Sequence, residues 1–338
     1  MKEKLLFDPY PRTMELILSP GDRKRLESLF EVISWDSGRM PSGTVEKSLP
    51  DVMAVVGQTD LPRKRLAIAE KLKAIINVEG NFLQNIDYEY CFQKGIHVLN
   101  AGIAFSEAVA EISLAFALSL ARDIPRNDRL FRVGNEIYGR KSNSDSFLLK
   151  GKKVGIIGLG NIGKALLRLL KPFGVSIGVY DPWLPGNHVI QMGCKPESLQ
   201  DLLETSKIIF LVAGATTENR AMIGEAEIGA IKKGSIFILT SRASLVDFTA
   251  LIERLKKGDI KAAIDVFPEE PFAKDSILRK LDNVLLSAHR AGGIPEAYRL
   301  IGEMVVDDLE LITKGLPPVR LQKANLEIVA KLASKPVK

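Results

Sequence analysis

Apolar and polar positions along this chain fall into two series of short apolar runs separated by amphipathic stretches. In the first, up to about residue 100, the runs are Leu29 to Ser34 (LFEVIS), VMAVVG at 52–57, AIINV at 74–78 and IHVL at 96–99. Between them lie stretches such as RKRLAIAEKL, whose apolar residues recur three and four apart, as on one face of a helix. The second series begins at Val154 and runs to about Leu286, with runs VGIIG, SIGVY, IIFLV, SIFIL, AAIDV and NVLLS. Such alternation predicts parallel strands covered by helices on both faces. Six strands in regular alternation are what a dinucleotide-binding sheet requires.

Two segments join the series. EAVAEISLAFALSLARDI, with Ser106 as its cap and Pro125 as its end, is apolar on most faces and is expected to be buried between domains. Pro295 suits the first position of a second long helix, EAYRLIGEMVVDDLELITK, which Gly315 and then Pro317-Pro318 stop. The chain is therefore expected to leave a small domain near residue 103 and to return to it near 295. That makes residues 1–103 and 295–338 one discontinuous domain and 104–294 the other. At 338 residues the chain is too long for a single ordinary core, which agrees with this division. The polar stretch from Gly139 to Lys150 reads as a loop.

Composition narrows the function classes. The net charge of +6 is spread along the chain with no block of like charges, so no nucleic-acid partner is indicated. Cys91 and Cys194 stand far apart and form no CxxC, so neither a disulfide framework nor a zinc ribbon is expected. His97 and His188 lie in no motif and show no ligand spacing, so no metal site is expected. No stretch reads as a membrane span, and the apolar part of MKEKLLFDPYPR is too short for a secretory signal. A reduced, cytoplasmic setting is the default expectation.

The strongest local signal is KKVGIIGLGNIGKALLRLLKPFGVSIGVYDPW. A strand leads into Gly158-x-Gly160-x-x-Gly163, and the loop opens a helix. Gly158 permits the tight turn, Gly160 lets a pyrophosphate approach the backbone, and Gly163 lets helix and strand pack closely. Asp181 stands eighteen residues beyond Gly163, where a carboxylate accepts from ribose hydroxyls and repels a 2′-phosphate. Pro182, Trp183 and Leu184 follow it, with no arginine, so NAD is favoured over NADP. A structural glycine turn beside a solvated Asp is the alternative.

From about residue 50 to about 318 the chain resembles the D-isomer-specific 2-hydroxyacid dehydrogenases. The resemblance rests on GLGNIG, TSRASLVD at 240–247, AAIDVFPEEP at 262–271 and LDNVLLSAHRAGG at 281–293, with NIDYEYCFQKGIHVLNAGIAFSEAVAE upstream. It implies two doubly wound parallel-sheet α/β domains, a Rossmann NAD domain inserted in a smaller flavodoxin-like substrate domain. Carried over by position, it also implies Arg242, Glu270 and His289 around the nicotinamide. Arg242 supplies a planar fork for a carboxylate, His289 is an acid or base near neutral pH, and Glu270 holds the imidazole and favours its protonated form. Glu269 is the competing carboxylate, but Glu270 directly precedes Pro271, as the family's glutamate does. Further positions implied at the cofactor are Asn161, Ile162, Thr216, Thr240, Ser241 and Asp265, and Glu79 and Gly80 are implied at the substrate.

Several positions depart from the family pattern. Ala243 replaces a glycine, Leu239 an asparagine and Ala288 a proline, while Arg290 follows His289 and Phe82 stands in place of a glycine. Glu79, beside backbone expected to hold the substrate carboxylate, would repel it unless Arg290 or another cation compensates; otherwise it points to solvent. The resemblance implies hydride transfer between NADH and a small 2-oxo acid or D-2-hydroxy acid, and a homodimer formed through the cofactor domain, with the helix at 107–122 helping to bury the interface. The rival reading is an NAD-sensing protein similar to the corepressors that share this fold.

Overall fold

The computed structural model describes residues 2–35 and 37–332. The chain divides into two compact units, Met1–Phe105 with Gly293–Lys338, and Ser106–Gly292. Residues 333–338, the last of those expected in the smaller domain, lie outside the described residues.

The first unit is built on β1 (Glu3–Asp8), β2 (Phe30–Ser34), β3 (Val52–Gly57), β4 (Ala74–Asn77) and β5 (His97–Asn100). They run parallel in the order β2-β1-β3-β4-β5, and Gln322–Lys323 adds a short antiparallel edge to β5. This is a doubly wound order that reverses direction between β1 and β3. Successive residues of a strand face opposite sides, and both sides are apolar here. Leu5, Phe7, Ala54, Val56 and Ile76 pack with Ile301, Val305 and Leu309 of the helix Pro295–Thr313. Leu6, Val55, Ile75 and Val98 pack with Val45, Leu49, Leu66 and Cys91. The long helix starts on Pro295 and ends just before Gly315, whose φ of 71° is left-handed. Strand β1 was not expected, because its apolar run is only LLF between charged residues.

The second unit carries β6 (Lys153–Ile157), β7 (Ser176–Tyr180), β8 (Lys195–Pro196), β9 (Ile208–Leu211), β10 (Ile236–Leu239), β11 (Lys261–Ile264) and β12 (Val284–Leu286). All are parallel, in the order β12-β11-β10-β9-β6-β7-β8. The six expected strands are present, and the seventh, β8, is only two residues long. Two doubly wound α/β sheets are thus as expected.

Other details refine or correct the expectation. The helix Ser106–Ala121 spends Ala110, Phe116, Ala117 and Leu120 inside the second unit's own core. Ser106 Oγ is buried without a hydrogen-bond partner, so it is not the cap that its residue type suggested. Pro125 does not simply end that helix but sits in the first turn of another, Ile124–Arg132, which buries none of its side chains. Residues 102–121 are also long and apolar enough by length and composition to cross a membrane, contrary to the sequence reading. Ala110, Phe116, Ala117, Leu120 and Ala121 of that stretch lie in the core, which accounts for part of its apolarity. The 139–150 loop contains a short 3-10 turn at Gly139–Asn143.

Candidate active site

The candidate cofactor and catalytic residues of the second unit lie on loops that leave the C-terminal ends of its parallel strands, the edge where doubly wound sheets bind ligands. After β6, Gly158 adopts φ 92°, and a side chain there would run into the backbone of Ala213. Gly163 is closed to any side chain by the Gly158 carbonyl, so helix and loop meet backbone to backbone. Gly160 faces open space and precedes the helix Asn161–Leu170 without a side-chain cap. The helix therefore turns the positive end of its dipole toward the glycine loop, and the cradle fits a dinucleotide pyrophosphate. Asn161 and the half-buried Ile162 form its first turn. Asp181, directly after β7, accepts from Leu159 N at 2.8 Å and from Trp183 N at 3.0 Å, which ties the acid to the glycine loop.

After β11 and β12 the structure brings Glu270 and His289 together. His289 Nδ1 lies 2.7 Å from Glu270 Oε2, and Glu270 Oε1 accepts from Phe267 N at 3.0 Å. The pair is open to solvent, with side chains 48% and 37% exposed. His289 has φ 49°, a left-handed conformation unusual for a residue with a bulky side chain. Asp265 holds it there. His289 N donates to the Asp265 carbonyl at 2.7 Å, and the buried Asp265 carboxylate accepts from Arg290 N and Ala291 N, both at 3.1 Å. No distance joins Glu269 to this arrangement, and the glutamate on His289 is Glu270.

Arg242 follows β10 in extended conformation and donates from Nη1 to Ser241 O at 2.8 Å. Thr240 and Ser241 are buried. Thr240 Oγ1 lies 2.8 Å from Ser113 Oγ, and Ser241 donates to Leu211 O at 3.0 Å, so both hydroxyls brace the strand ends. Thr216 forms a turn, with its N–H on Asn219 Oδ1 and its Oγ1 accepting from Glu218 N. Each of these residues has an internal partner as well as its implied place beside a cofactor.

In the first unit, Glu79 and Gly80 follow β4. Glu79 does not point to solvent, and a cation from its own unit, Arg12, compensates it. Arg12 Nη1 donates to Glu79 Oε1 and, at 3.0 Å, to Val78 O, while Gln58 Nε2 donates to the same carboxylate oxygen at 3.1 Å. The Glu79 N–H is taken by Asn77 Oδ1 at 3.0 Å. Gly102 presses on the Gly80 carbonyl so closely that a side chain at 102 has no room. Phe82 is buried edge-on to Tyr88, which explains its size where a glycine was the pattern. Sequence reading missed Arg12 because its partner stands 67 positions away.

The resolved acid–base shifts lie outside these loops. Burial pushes the Cys91 thiol up to about 12 and also raises that of Cys194; burial, then Lys323, lowers His97. Both cysteines are buried and unbridged.

Comparison with known proteins follows the same lines. The family model of the D-isomer-specific 2-hydroxyacid dehydrogenase NAD-binding domain matches residues 114–291. A D-3-phosphoglycerate dehydrogenase of Methanocaldococcus jannaschii is 36% identical over 78% of this chain, but the chain spans only 50% of that protein's length. A glyoxylate reductase of Thermococcus litoralis is 34% identical over 89% of this chain and 93% of its own. Among solved structures, a phosphoglycerate oxidoreductase from Rhizobium etli superposes with a TM-score of 0.87 at 40% identity, covering 96% of this chain and 99% of the other.

Proposed function

The chain belongs to the D-isomer-specific 2-hydroxyacid dehydrogenase family, and from that premise we propose that it transfers hydride between NADH and a small 2-oxo acid, or the reverse from a D-2-hydroxy acid. The observation that carries the reading is the 2.7 Å hydrogen bond between His289 and Glu270, set on the same strand ends as a glycine loop that fits a dinucleotide.

When bound, NADH supplies the hydride. His289 has Nδ1 committed to Glu270, so Nε2 is the nitrogen left to give a proton to the carbonyl oxygen, or to take it back in the oxidation. Glu270 fixes the ring, and its second oxygen is anchored on Phe267 N. Arg242 grips the substrate carboxylate with its fork. Asp265 keeps lone pairs beyond the two it spends on Arg290 and Ala291, enough to accept from the nicotinamide carboxamide. Asp181 selects NAD by accepting from the ribose and repelling a 2′-phosphate. The Glu79–Gly80 loop contributes to holding the substrate.

Glyoxylate, hydroxypyruvate and phosphohydroxypyruvate are the substrates to try first, in line with the names of the relatives. The corepressor-like reading is not favoured, since the relatives quoted are dehydrogenases and reductases. A homodimer is supported by the helix Ile124–Arg132 and its surroundings, where Ile124, Phe131, Val133, Ile137 and Tyr138 are exposed. The helix at 107–122, part of whose apolar surface lies in its own unit's core, is the other segment that this reading places at the interface. A reduced cytoplasmic compartment is supported by the two unbridged cysteines. The test is NADH oxidation against a panel of 2-oxo acids. Turnover of at least one supports the reading, and none on any overturns it.

A further inference from the structure

At the C-terminal edge of the first sheet, a cation and an anion from distant segments meet with little access to solvent. Arg12 lies four residues beyond β1, and Glu79 two residues beyond β4. Their side chains are 13% and 22% exposed. The guanidinium also sits 5.4 Å from the Phe105 ring and 5.3 Å from the Tyr298 ring, flanked by two aromatic faces that favour a cation. Gln58, the residue after β3, adds a neutral donor to Glu79 and reaches back to Tyr10 O at 3.3 Å. Three strand ends therefore converge on one carboxylate oxygen, and Arg12 also holds the adjoining Val78 carbonyl.

A carboxylate has no evident purpose in a loop that takes an acid. With Arg12 present the pair is neutral, and the loop is held by a bond at each of two consecutive residues. With Arg12 absent, Glu79 would be a poorly solvated negative charge in the loop proposed to receive an anion. At an effective dielectric of about 20, like charges roughly 7 Å apart weaken binding by roughly 50-fold, before screening.

We propose that Arg12 is a positioning residue for the substrate: it neutralises Glu79 and fixes the Val78–Gly80 backbone, so that the loop accepts an anionic 2-oxo acid. The inference rests on the dehydrogenase reading above. It assigns Arg12 no part in the proton or hydride step, so its signature is in KM and not in kcat.

The experiment is a double-mutant cycle on Arg12→Met and Glu79→Gln, read with glyoxylate and hydroxypyruvate at saturating NADH. Arg12→Met is expected to raise KM at least tenfold, with kcat within threefold and NADH affinity unchanged. Glu79→Gln leaves Arg12 as an excess positive charge and is expected to lower KM. The double variant, which has neither charge, is expected to recover most of the loss. An unchanged KM in Arg12→Met, or a double variant as impaired as Arg12→Met alone, overturns the proposal and leaves Arg12 a packing residue. If Arg12→Met does not fold, Glu79→Gln decides alone: a lowered KM supports the proposal, and an unchanged or raised one overturns it. Wild-type protein that turns over no 2-oxo acid refutes the parent reading instead, so the two failures are distinct.

Discussion

Asp8 and Asp265 hold matching places in the two sheets. Each is a fully buried carboxylate at the C-terminal end of a parallel strand, β1 and β11, and each braces a neighbouring loop. Asp8 accepts from Met40 N and from the Thr59 hydroxyl, both at 3.1 Å. Asp265 accepts from Arg290 N and Ala291 N at the same distance. The difference is in what the braced loop carries. Asp8 secures Met40 and Thr59, to which our reading gives no part in the proton transfer, whereas Asp265 secures the turn on which His289 is held at φ 49°. The same physical device serves stability in one sheet and, by our reading, chemistry in the other.

The sharpest test of that contrast is His289 itself. His289→Gln removes the group that exchanges the proton and should lower kcat by roughly 10³-fold in both directions, within the range seen for general acid–base residues. NADH binding, followed by fluorescence titration, should persist. A variant with near-normal turnover would make His289 as structural as anything braced by Asp8.

The two aspartates can then be compared directly. Both ligands of Asp265 are backbone N–H groups, so Asp265→Asn must set an NH2 donor against a donor in a buried site. The turn must shift, and a displacement of about 1 Å at the imidazole can cost up to roughly 10²-fold. We expect kcat to fall about 10- to 100-fold. In Asp8→Asn the amide can face the Thr59 hydroxyl, which turns to accept, so both partners stay satisfied. That variant should lose about 1–2 kcal/mol in denaturant unfolding, while kcat stays within threefold. Equal kinetic damage in both would abolish the distinction between the sheets.

The two units were also unequally legible. In the second, strand, glycine loop, helix, strand and acid follow within about thirty residues, so chemistry that depends on local order can be read from order. Glu270 and His289 are nineteen positions apart, each in a recognisable motif. In the first unit, β1 escaped notice because three apolar residues between charges make a weak pattern, although it is a central strand. Arg12 escaped because nothing near it in the chain announces Glu79. The helix Ile124–Arg132 was missed because Pro125 reads equally as an end and as a beginning, and only the structure shows which. Ser106 shows the converse, a good capping residue whose hydroxyl caps nothing.

A smaller effect concerns the cofactor. Asp181 is tied to the glycine loop through Leu159 N and also offers the charge that should exclude a 2′-phosphate. Asp181→Ala should reduce the preference for NADH over NADPH by about tenfold in a fluorescence titration. Equal affinities in the wild type would sink the assignment of NAD, though not that of a dinucleotide.

The smallest expected effect is the most diagnostic of how the catalytic pair works. Glu270→Gln keeps the shape of the side chain but leaves one acceptor oxygen for two donors, Phe267 N–H and the Nδ1–H of a protonated His289. If the oxygen stays on Phe267, the amide NH2 faces Nδ1, which can accept only when the imidazole is neutral. Loss of the negative charge acts in the same direction. Reduction of a 2-oxo acid needs the protonated ring, so its fall at high pH should move to lower pH. Oxidation of a hydroxy acid needs the neutral ring, so its rise should begin at lower pH as well. Because the pair is more than a third exposed, solvent screens the charge and the displacement should be small. The measurement is a pair of pH–rate profiles, wild type against variant, under conditions where chemistry limits the rate. If neither limb moves, Glu270 orients His289 without tuning it, and its role becomes that of Asp8, a carboxylate that holds a loop in place.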